Sequence, residues 1–458
     1  MSAIATAPET TRATYAESRR HELRKTRLVM IDGSLSVNAS SVEGGASERV
    51  YADGYWGFAS APTTDDASVA RVRRQARENA RAMARFGARA ALRLAGGTHR
   101  GEHAFAGRKP LTPAECLERM GSLNAWCRSR YPKLKSVQVM LQQEHHRKWL
   151  ATTDGSEVLN SIQRAACYVT LVAENDAGAP VELLERVSGK GSLADLDLSI
   201  ESLAPRLDRT HEHLQAKRHA VPARGGRHTL VMGPNLAGIL AHEAMGHPCE
   251  GDIVLGGAVT GDLLGTRIAS DLVTMIDYAH HRDGEELMIP VYADDEGMPA
   301  RDAVLIEHGI LKEFMQSRET AARLGMAPTG SARAYAPGDE PLVRMRNTAI
   351  LPGTSRLDDM IAGVDDGYLL LDTSNGQADS TTEFMFGINL GYEIKGGKRG
   401  RAIRDTTVSG SAIKVLQSVD AVSDDMVWSC SGYCGKKQPM VVSMGGPAIR
   451  AHAHLGGE

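Results

Sequence analysis

A chain of 458 residues, 42% hydrophobic and 24% charged, is long enough for two or three domains and has an ordinary globular composition. The formal net charge of -3 argues against a general polyanion binder, so nucleic acid is not an expected partner. No run approaches the roughly 20 apolar residues of a membrane span, and the polar N-terminus lacks the apolar middle of a secretory signal. We therefore expect a cytoplasmic protein whose six cysteines are thiols rather than a disulfide framework.

The first 220 residues predict a mixed α/β domain (residues 26–220) that follows an N-terminal arm (residues 1–25). Asp32-Gly33 and Asp53-Gly54 interrupt runs of alternating apolar and polar residues, which is typical of antiparallel hairpins. The remaining predicted elements are long helices over 65–94, 113–130 and 193–219 and strands over 135–141 and 167–173.

An arginine recurs every four residues along the first predicted helix, at Arg73, Arg77, Arg81, Arg85, Arg89 and Arg93. Four residues rotate about 40° past a full turn of an α-helix, so this row spirals instead of forming one flat cationic face. A stripe suited to burial lies beside it, formed by Val69, Val72, Ala76, Ala80 and Met83. We interpret the segment as a solvated amphipathic helix, not as a nucleic-acid surface.

The Pro/Gly/Arg-rich segment Val221–His228 predicts a domain boundary. Beyond it, many glycine-containing turns indicate a β-rich C-terminal domain over residues 221–458, so the fold class expected for the whole chain is α+β. Three groups of histidines lie in charged surroundings and are interpreted as solvated: His145-His146, His211/His213 and His280-His281.

The most informative motif lies in the segment GPNLAGILAHEAMGHPCEGD, residues 233–252, where His242, Glu243 and His247 form an H-E-x-x-x-H array. Residues five apart on an α-helix point about 140° away from each other, so two such imidazoles share one ion only if the helix ends or widens between them. The array therefore predicts a distorted helix end at Met245–His247, through a π-type turn, and Gly246 is the residue best suited to relax the backbone.

These residue types suit a catalytic zinc ion. Neutral imidazole is a good Zn²⁺ ligand, and two histidines leave room for a third protein ligand and a water molecule. Glu243, next to His242, is placed to act as general base and then to protonate the leaving amine. The alternative is a pair of ordinary histidines beside a helical glutamate. Candidates for the third ligand are Glu250 and Cys249 nearby and Cys430 and Cys434 in the remote segment SCSGYCGKK, where a thiolate near two lysines is expected to be exposed with a depressed pKa.

At this point the sequence resembles the TldD/PmbA family of zinc metallopeptidases. The resemblance rests on LAHEAMGHPCEGD, on ADDEGMPARDAVLIEHGILKEFMQ and on the later segments RMRNTAILPGTS, SNGQAD and YCGKKQP, in the order found in the family. It extends from about residue 27 onward. It implies that His242, His247 and Cys434 are the ligands of Zn²⁺ and that Glu243 is the catalytic carboxylate.

The resemblance also implies the mixed α/β N-terminal domain, a β-rich C-terminal domain that carries the metal site, and a dimer. Substrates of such a protein are short, unfolded or modified peptides, bound extended along a strand edge. Because this chain retains the metal motif, we expect a homodimer, with a heterodimer with a metal-free family member as the alternative. Two further functions stay open: an amidohydrolase acting on a non-peptide biosynthetic intermediate, and a non-catalytic peptide-binding subunit.

Overall fold

The computed structural model describes residues 15–87 and 89–457. Among these residues the first half of the chain combines strands with three long helices. Their chain order is β1 (Tyr15–Ile31), β2 (Ser34–Ala52), β3 (Tyr55–Ala61), α1 (Asp66–Ala84), β4 (Arg100–Ala104), α2 (Pro113–Arg130), β5 (Ser136–Thr152), β6 (Glu157–Glu174), β7 (Pro180–Lys190) and α3 (Ile200–Arg218).

The strands of this half form one sheet in the order β3-β2-β1-β5-β6-β4, and β7 also pairs with β6. All pairs are antiparallel except β4 with β6. The two predicted Asp-Gly hairpins are confirmed, since Asp32-Gly33 joins β1 to β2 and Asp53-Gly54 joins β2 to β3. Both aspartates (φ 49° and 52°) and both glycines (φ 83°) occupy the left-handed region, as type I′ turns require.

The helices follow the prediction with shifted ends. Helix α2 spans the predicted residues, because Thr112 and Glu115 form a capping box at its start. Helix α1 ends at Ala84 instead of near residue 94, and Gly87 just beyond it has φ of 144°, which no helix uses. Helix α3 begins at residue 200 instead of 193, because the side chain of Ser199 caps its first turn.

The buried face of α1 matches most of the predicted stripe. Val69, Val72, Ala76 and Ala80 are buried, whereas Met83 is 44% exposed, against the prediction. One of the arginines in the row, Arg73, forms an ion pair with the buried Glu48 of β2 at 3.2 Å. Because α1 ends at Ala84, the row is divided between the helix and the irregular segment that follows it.

The second half of the chain is built mainly from short strands. Its elements are β8 (Gly226–Met232), α4 (Pro234–Ile239), a π-helical segment (Leu240–Gly246), a 3₁₀ turn (His247–Cys249), α5 (Gly251–Leu255), a 3₁₀ turn (Val259–Leu263), β9 (Met275–Tyr278), β10 (His281–Arg282), β11 (Glu285–Glu286), β12 (Ala303–Glu307), β13 (Ile310–Leu311), α6 (Arg318–Leu324), β14 (Ala332–Arg333), β15 (Leu342–Val343), β16 (Asn347–Ile350), α7 (Leu357–Ala362), β17 (Asp366–Ala378), β18 (Glu383–Lys395), β19 (Lys398–Ala402), β20 (Thr406–Ser411), α8 (Ala412–Gln417), β21 (Ala421–Val422), β22 (Val427–Ser429), β23 (Tyr433–Cys434), β24 (Met440–Val441), β25 (Ser443–Gly446) and β26 (Ile449–Leu455).

Two sheets organise this half. One closes on itself in the order β17-β8-β26-β20-β18, because β18 pairs again with β17. The other has the order β13-β12-β9-β16-β25-β22. Helix α4 leaves the end of β8 and packs against β17 and β25, so it links the two sheets. Together with the first half, this confirms the α+β class and the β-rich C-terminal part.

The chain passes from one half to the other between Arg218 and Gly226, within or next to the predicted boundary segment. The cores of the two halves are continuous: Leu203 and Leu207 of α3 belong to the same buried cluster as Val231, Leu369 and Tyr392. The predicted arm needs correction, because residues 15–25 already belong to β1, where pairing with both β2 and β5 orders them. Residues 1–14 lie outside the described part. Within the described ranges, none of the helices combines the length and apolar character that crossing a lipid bilayer requires.

Candidate metal centre

The helix that carries the H-E-x-x-x-H array changes its winding where the histidines lie. Six α-helical residues are followed by the π-helical segment Leu240–Gly246 and by the 3₁₀ turn His247–Cys249. The backbone N–H of His247 donates to the carbonyl of His242, which closes one turn over five residues. This confirms the predicted distortion, although it begins at Leu240, earlier than expected.

The π turn brings the two imidazoles to one side of the helix, with ring centroids 5.2 Å apart. Gly246 serves this turn differently from the prediction. Its φ of -65° is that of an ordinary helix, so conformational freedom is not what the position requires. A Cβ placed there would lie 2.3 Å from Met345 Sδ and 2.9 Å from the carbonyl oxygen of Ala241. Glycine is required by the close packing.

The structure brings together the three residues to which the ligand role was assigned. One donor atom each of His242, His247 and Cys434 lies within 4.8 Å of the others, and Cys434 Sγ is 3.2 Å from His247 Nε2. His242 is fully buried, yet neither of its ring nitrogens has a hydrogen-bond partner among the described residues. Because buried polar atoms are nearly always satisfied, this imidazole and its neighbours fit a bound metal ion.

The thiol of Cys434 is buried, not exposed as expected, and is 1% accessible. Burial raises its pKa, but the two neighbouring imidazoles, His242 and His247, outweigh burial and lower the pKa to about 4. The lowering therefore comes from the two histidines, not from nearby lysines. Cys249 and Cys430 do not join the cluster, and burial raises the pKa of both thiols. A thiolate at neutral pH is the form that binds metals.

Glu250 was a candidate for the third metal ligand, but its carboxylate contacts a histidine instead. Its carboxylate accepts a hydrogen bond from His247 Nδ1 at 2.7 Å, which leaves Nε2 of the same ring facing Cys434. Burial raises the pKa of Glu250, but His247 and Lys436 outweigh it and lower the pKa to about 2. A carboxylate that fixes the tautomer of a liganding histidine is a common feature of metal sites. In the sequence, the spacing of three residues between His247 and Glu250 was the signal that could have predicted this contact.

Lys436 joins the two segments that carry the candidate ligands. Its ammonium group lies 3.0 Å from Glu250 and 2.9 Å from both carboxylate oxygens of Asp252. It also donates to the carbonyl of Val343. Sequence reasoning placed this lysine beside the thiolate, whereas it stabilises the carboxylate that orients His247.

Glu243 lies at the open side of the cluster. Its carboxylate oxygens are 3.7 Å from His242 Nε2 and 3.5 Å from His247 Nε2. Its side chain is 26% exposed and that of His247 is 19% exposed, whereas His242 is fully enclosed. Solvent therefore reaches the donor atoms from the side on which this carboxylate stands.

The interpretation of the other histidines as solvated was wrong for His146, which is buried and contacts His21 Nε2 at 3.2 Å. The others are partly buried: His145 contacts the Ser161 hydroxyl, and three more lie against aromatic rings. His211 stacks on Tyr131, His213 contacts the Tyr392 hydroxyl and His280 stacks on Tyr292.

A cavity of about 1080 Å³ lies beside the segments that lead to the candidate ligands. Asn235 and Ile239 of α4 line it on one side, and Ser431 and Gly432 line it on the other. None of the residues that line it belongs to the metal cluster itself. The cavity therefore flanks the candidate site and is separate from its donor atoms.

Comparison with known proteins agrees with this geometry. Models of the PmbA/TldA metallopeptidases match the chain in three parts: domain 1 over residues 16–80, the central domain over 108–209 and the C-terminal domain over 225–455. A metalloprotease of Methanothermobacter thermautotrophicus is 30% identical over 455 residues, which cover 97% of this chain and 96% of that protein. A zinc metalloprotease TldD homolog of Saccharolobus solfataricus is 30% identical over 324 residues, which cover 70% of this chain and 71% of that protein.

Among solved structures, TldE from Thermococcus kodakarensis has a TM-score of 0.76 to this chain, with 18% sequence identity and 97% of each chain covered. At that identity the likeness shows the shared fold alone.

Proposed function

Because the chain belongs to the PmbA/TldD family of metallopeptidases, we propose that it is a zinc-dependent peptidase that hydrolyses amide bonds of short, unfolded or modified peptides. The observation that carries the proposal is the convergence of His242, His247 and Cys434 beside the carboxylate of Glu243. A purely structural ion has no need of a neighbouring base, and zinc in such sites is usually enclosed by four protein ligands.

The donor set favours zinc over harder cations. Two imidazoles and one thiolate form a borderline-soft set, whereas Mg²⁺ and Ca²⁺ prefer oxygen ligands. His242 and His247 would hold the ion through ring nitrogens, and Cys434 would hold it through its sulfur. Three protein ligands leave a position for water or substrate on the side of Glu243.

The protein's own part in the reaction centres on Glu243. When bound, zinc polarises the substrate carbonyl and lowers the pKa of water to about 7. The carboxylate of Glu243, at the solvent-accessible edge of the cluster, accepts the proton of the attacking water and returns it to the leaving amine nitrogen. Glu250 holds His247 in the tautomer whose Nε2 faces the site throughout.

An extended peptide fits the surroundings of the site. Strand β17 pairs with β8 only over residues 367–370, and its residues 371–378 have no ladder partner on that edge within the described chain. This strand contacts α4 and the π-helical segment that carries the histidines. A free edge offers main-chain hydrogen bonds to an extended peptide with little dependence on its side chains.

The proposal includes the assembly and the compartment. We propose a homodimer in the cytoplasm, with a heterodimer with a metal-free family member as the alternative. Light scattering of the purified chain, alone and mixed with such a relative, measures the mass of the assembly. A monomer under both conditions contradicts this part of the proposal.

The test of the activity is mass spectrometry of the products from a mixed peptide library, using the metal-loaded protein and a chelator-treated control. Glu243→Gln should keep about one zinc per chain while kcat falls by about 10²–10⁴-fold, the usual contribution of a general base. If this variant cleaves the library as well as the parent does, the role given to Glu243 is wrong. If the metal-loaded parent cleaves no peptide, the non-peptide amidohydrolase and the peptide-binding subunit become the explanations to test.

A further inference from the structure

The segment that carries Cys434, residues 430–438, is held mainly by side chains. Within it, Tyr433–Cys434 is a two-residue strand that pairs with Met440–Val441. Backbone carbonyls that lack a ladder partner must find other donors when they are buried. Here those donors come from both halves of the molecule.

The first half contributes two residues of β6. Arg164 donates to the carbonyls of Cys430 and Gly432, and its guanidinium lies 4.2 Å from the centre of the Tyr433 ring. The hydroxyl of Tyr168 donates to the carbonyl of Ser431 at 2.5 Å. Arg164 and Tyr168 are four residues apart on one strand, so both side chains leave the same face of the sheet. We call these two residues the β6 clamp.

The second half holds the other end of the segment. Arg344 is fully buried and donates to the carbonyls of Cys434, Lys436 and Gln438, at 2.8, 2.6 and 3.0 Å. The segment is therefore fixed on both sides of the thiol: by the β6 clamp over residues 430–432 and by Arg344 over residues 434–438.

We propose that the β6 clamp is a positioning device for the metal ligand Cys434, so that the first half of the chain completes the metal centre. The inference rests on the proposed metal site. Arg164 is 3% exposed and its charge is balanced by Glu144 at 3.6 Å. The clamp touches no donor atom of the cluster, and it acts by setting where the backbone that leads to the sulfur lies. Arginine suits this role because its Nη1 carries two N–H donors and bonds both carbonyls at once.

A role in holding the halves together would explain Arg164 without reference to the metal, and Arg318 provides the matched control. Arg318 is equally buried and joins the same halves, by donating to the carbonyls of Ala95 and Gly97 and to Asp154. Among the described residues, Arg318 forms no hydrogen bond or ion pair with residues 430–438. Loss of either arginine removes a buried bridge between the halves, but only loss of Arg164 releases the backbone next to Cys434.

The experiment uses Co²⁺ in place of zinc in the full-length protein, because the sulfur-to-cobalt charge-transfer band reports thiolate ligation directly. Affinity is measured by competition with a chelator, and folding by circular dichroism and thermal melting. Arg164→Met should weaken metal affinity about 10–100-fold, as expected for loss of a residue that orients a ligand, and should reduce the band. Arg318→Met should lower the melting temperature while affinity and band stay as in the parent.

The proposal is overturned if Arg164→Met folds and its metal affinity and charge-transfer band are the same as those of the parent. If that variant does not fold, Tyr168→Phe decides, since it removes one hydroxyl and keeps the ring: a weakened affinity supports the proposal and an unchanged one overturns it. A parent protein without any charge-transfer band contradicts the metal centre itself, and the clamp falls with it. The two failures are thus distinguishable.

Discussion

The two segments that supply the candidate ligands are stabilised in opposite ways. The histidines lie on a short helix whose own backbone sets their spacing, through the bond from the His247 N–H to the His242 carbonyl. The cysteine lies on an irregular segment whose position depends on Arg164 and Arg344, which are remote in sequence. A metal site can therefore combine a locally encoded part with a part that exists only in the complete fold.

The largest expected effect tests whether the irregular segment supplies a ligand at all. Cys434→Ser should lower zinc affinity by more than the roughly 100-fold upper range seen for outer partners, because it removes a direct ligand. Zinc content and chelator competition measure the loss, and hydrolysis should disappear with the metal.

The matched control for this change is Cys430→Ser. That residue lies four positions earlier, is also buried, and does not join the donor cluster. Its variant should keep the metal. The reverse pattern, with Cys430 needed and Cys434 dispensable, refutes the ligand assignment.

An intermediate effect is expected from changing Glu250, which contacts His247 in one segment and Lys436 in the other. Glu250→Gln removes the negative charge of the group that accepts a hydrogen bond from His247 Nδ1, so metal affinity should fall about 10–100-fold. Chelator competition at neutral pH measures it.

Asp252→Asn is the control, because Asp252 shares Lys436 with Glu250 but, in the described part of the chain, forms no hydrogen bond or ion pair with His247. Equal losses in both variants would show that Lys436, and not the orientation of the imidazole, is what matters.

The smallest effects are expected from replacing one glycine by alanine in each of the two segments. Gly246→Ala places a Cβ within 2.9 Å of the Ala241 carbonyl oxygen, so it should destabilise the fold by about 1–3 kcal/mol and weaken metal binding. Gly435→Ala, next to Cys434, meets no atom within 4 Å and should change stability by less than about 0.5 kcal/mol. Denaturant unfolding of the metal-free proteins measures both. Similar losses at the two glycines would contradict the view that only the helix is closely packed around its glycine.

The part of the site that sequence could predict is the part set by local geometry. The spacing of His242 and His247 predicted a widened turn, because five residues of an α-helix would separate the rings. The reason given for Gly246 was wrong, since the glycine is crowded by the side chain of Met345, which lies between β15 and β16, far away in the sequence. The choice of Cys434 over Cys249 and Cys430 came from the family resemblance alone, as no spacing links residues almost 190 positions apart.

The same division holds for the rest of the fold. The Asp-Gly hairpins and α2 were predictable because turn and cap residues act within a few positions. The burial of His146 and the stacking of His280 on Tyr292 were not predictable, because their partners are supplied by tertiary packing. The early end of α1 was only partly predictable, because the sequence contains Gly87 but does not give the backbone conformation of that residue.

The π-helical segment bears on how the H-E-x-x-x-H array relates to the more widespread H-E-x-x-H. In a regular helix the shorter array places its histidines nearly one turn apart, and here the wider turn places His242 and His247 one turn apart as well. The two arrays thus differ by a single inserted residue, which the wider turn accommodates. Excising that residue, for example by deleting Met245, would regularise the helix and turn an unusual array into the common one.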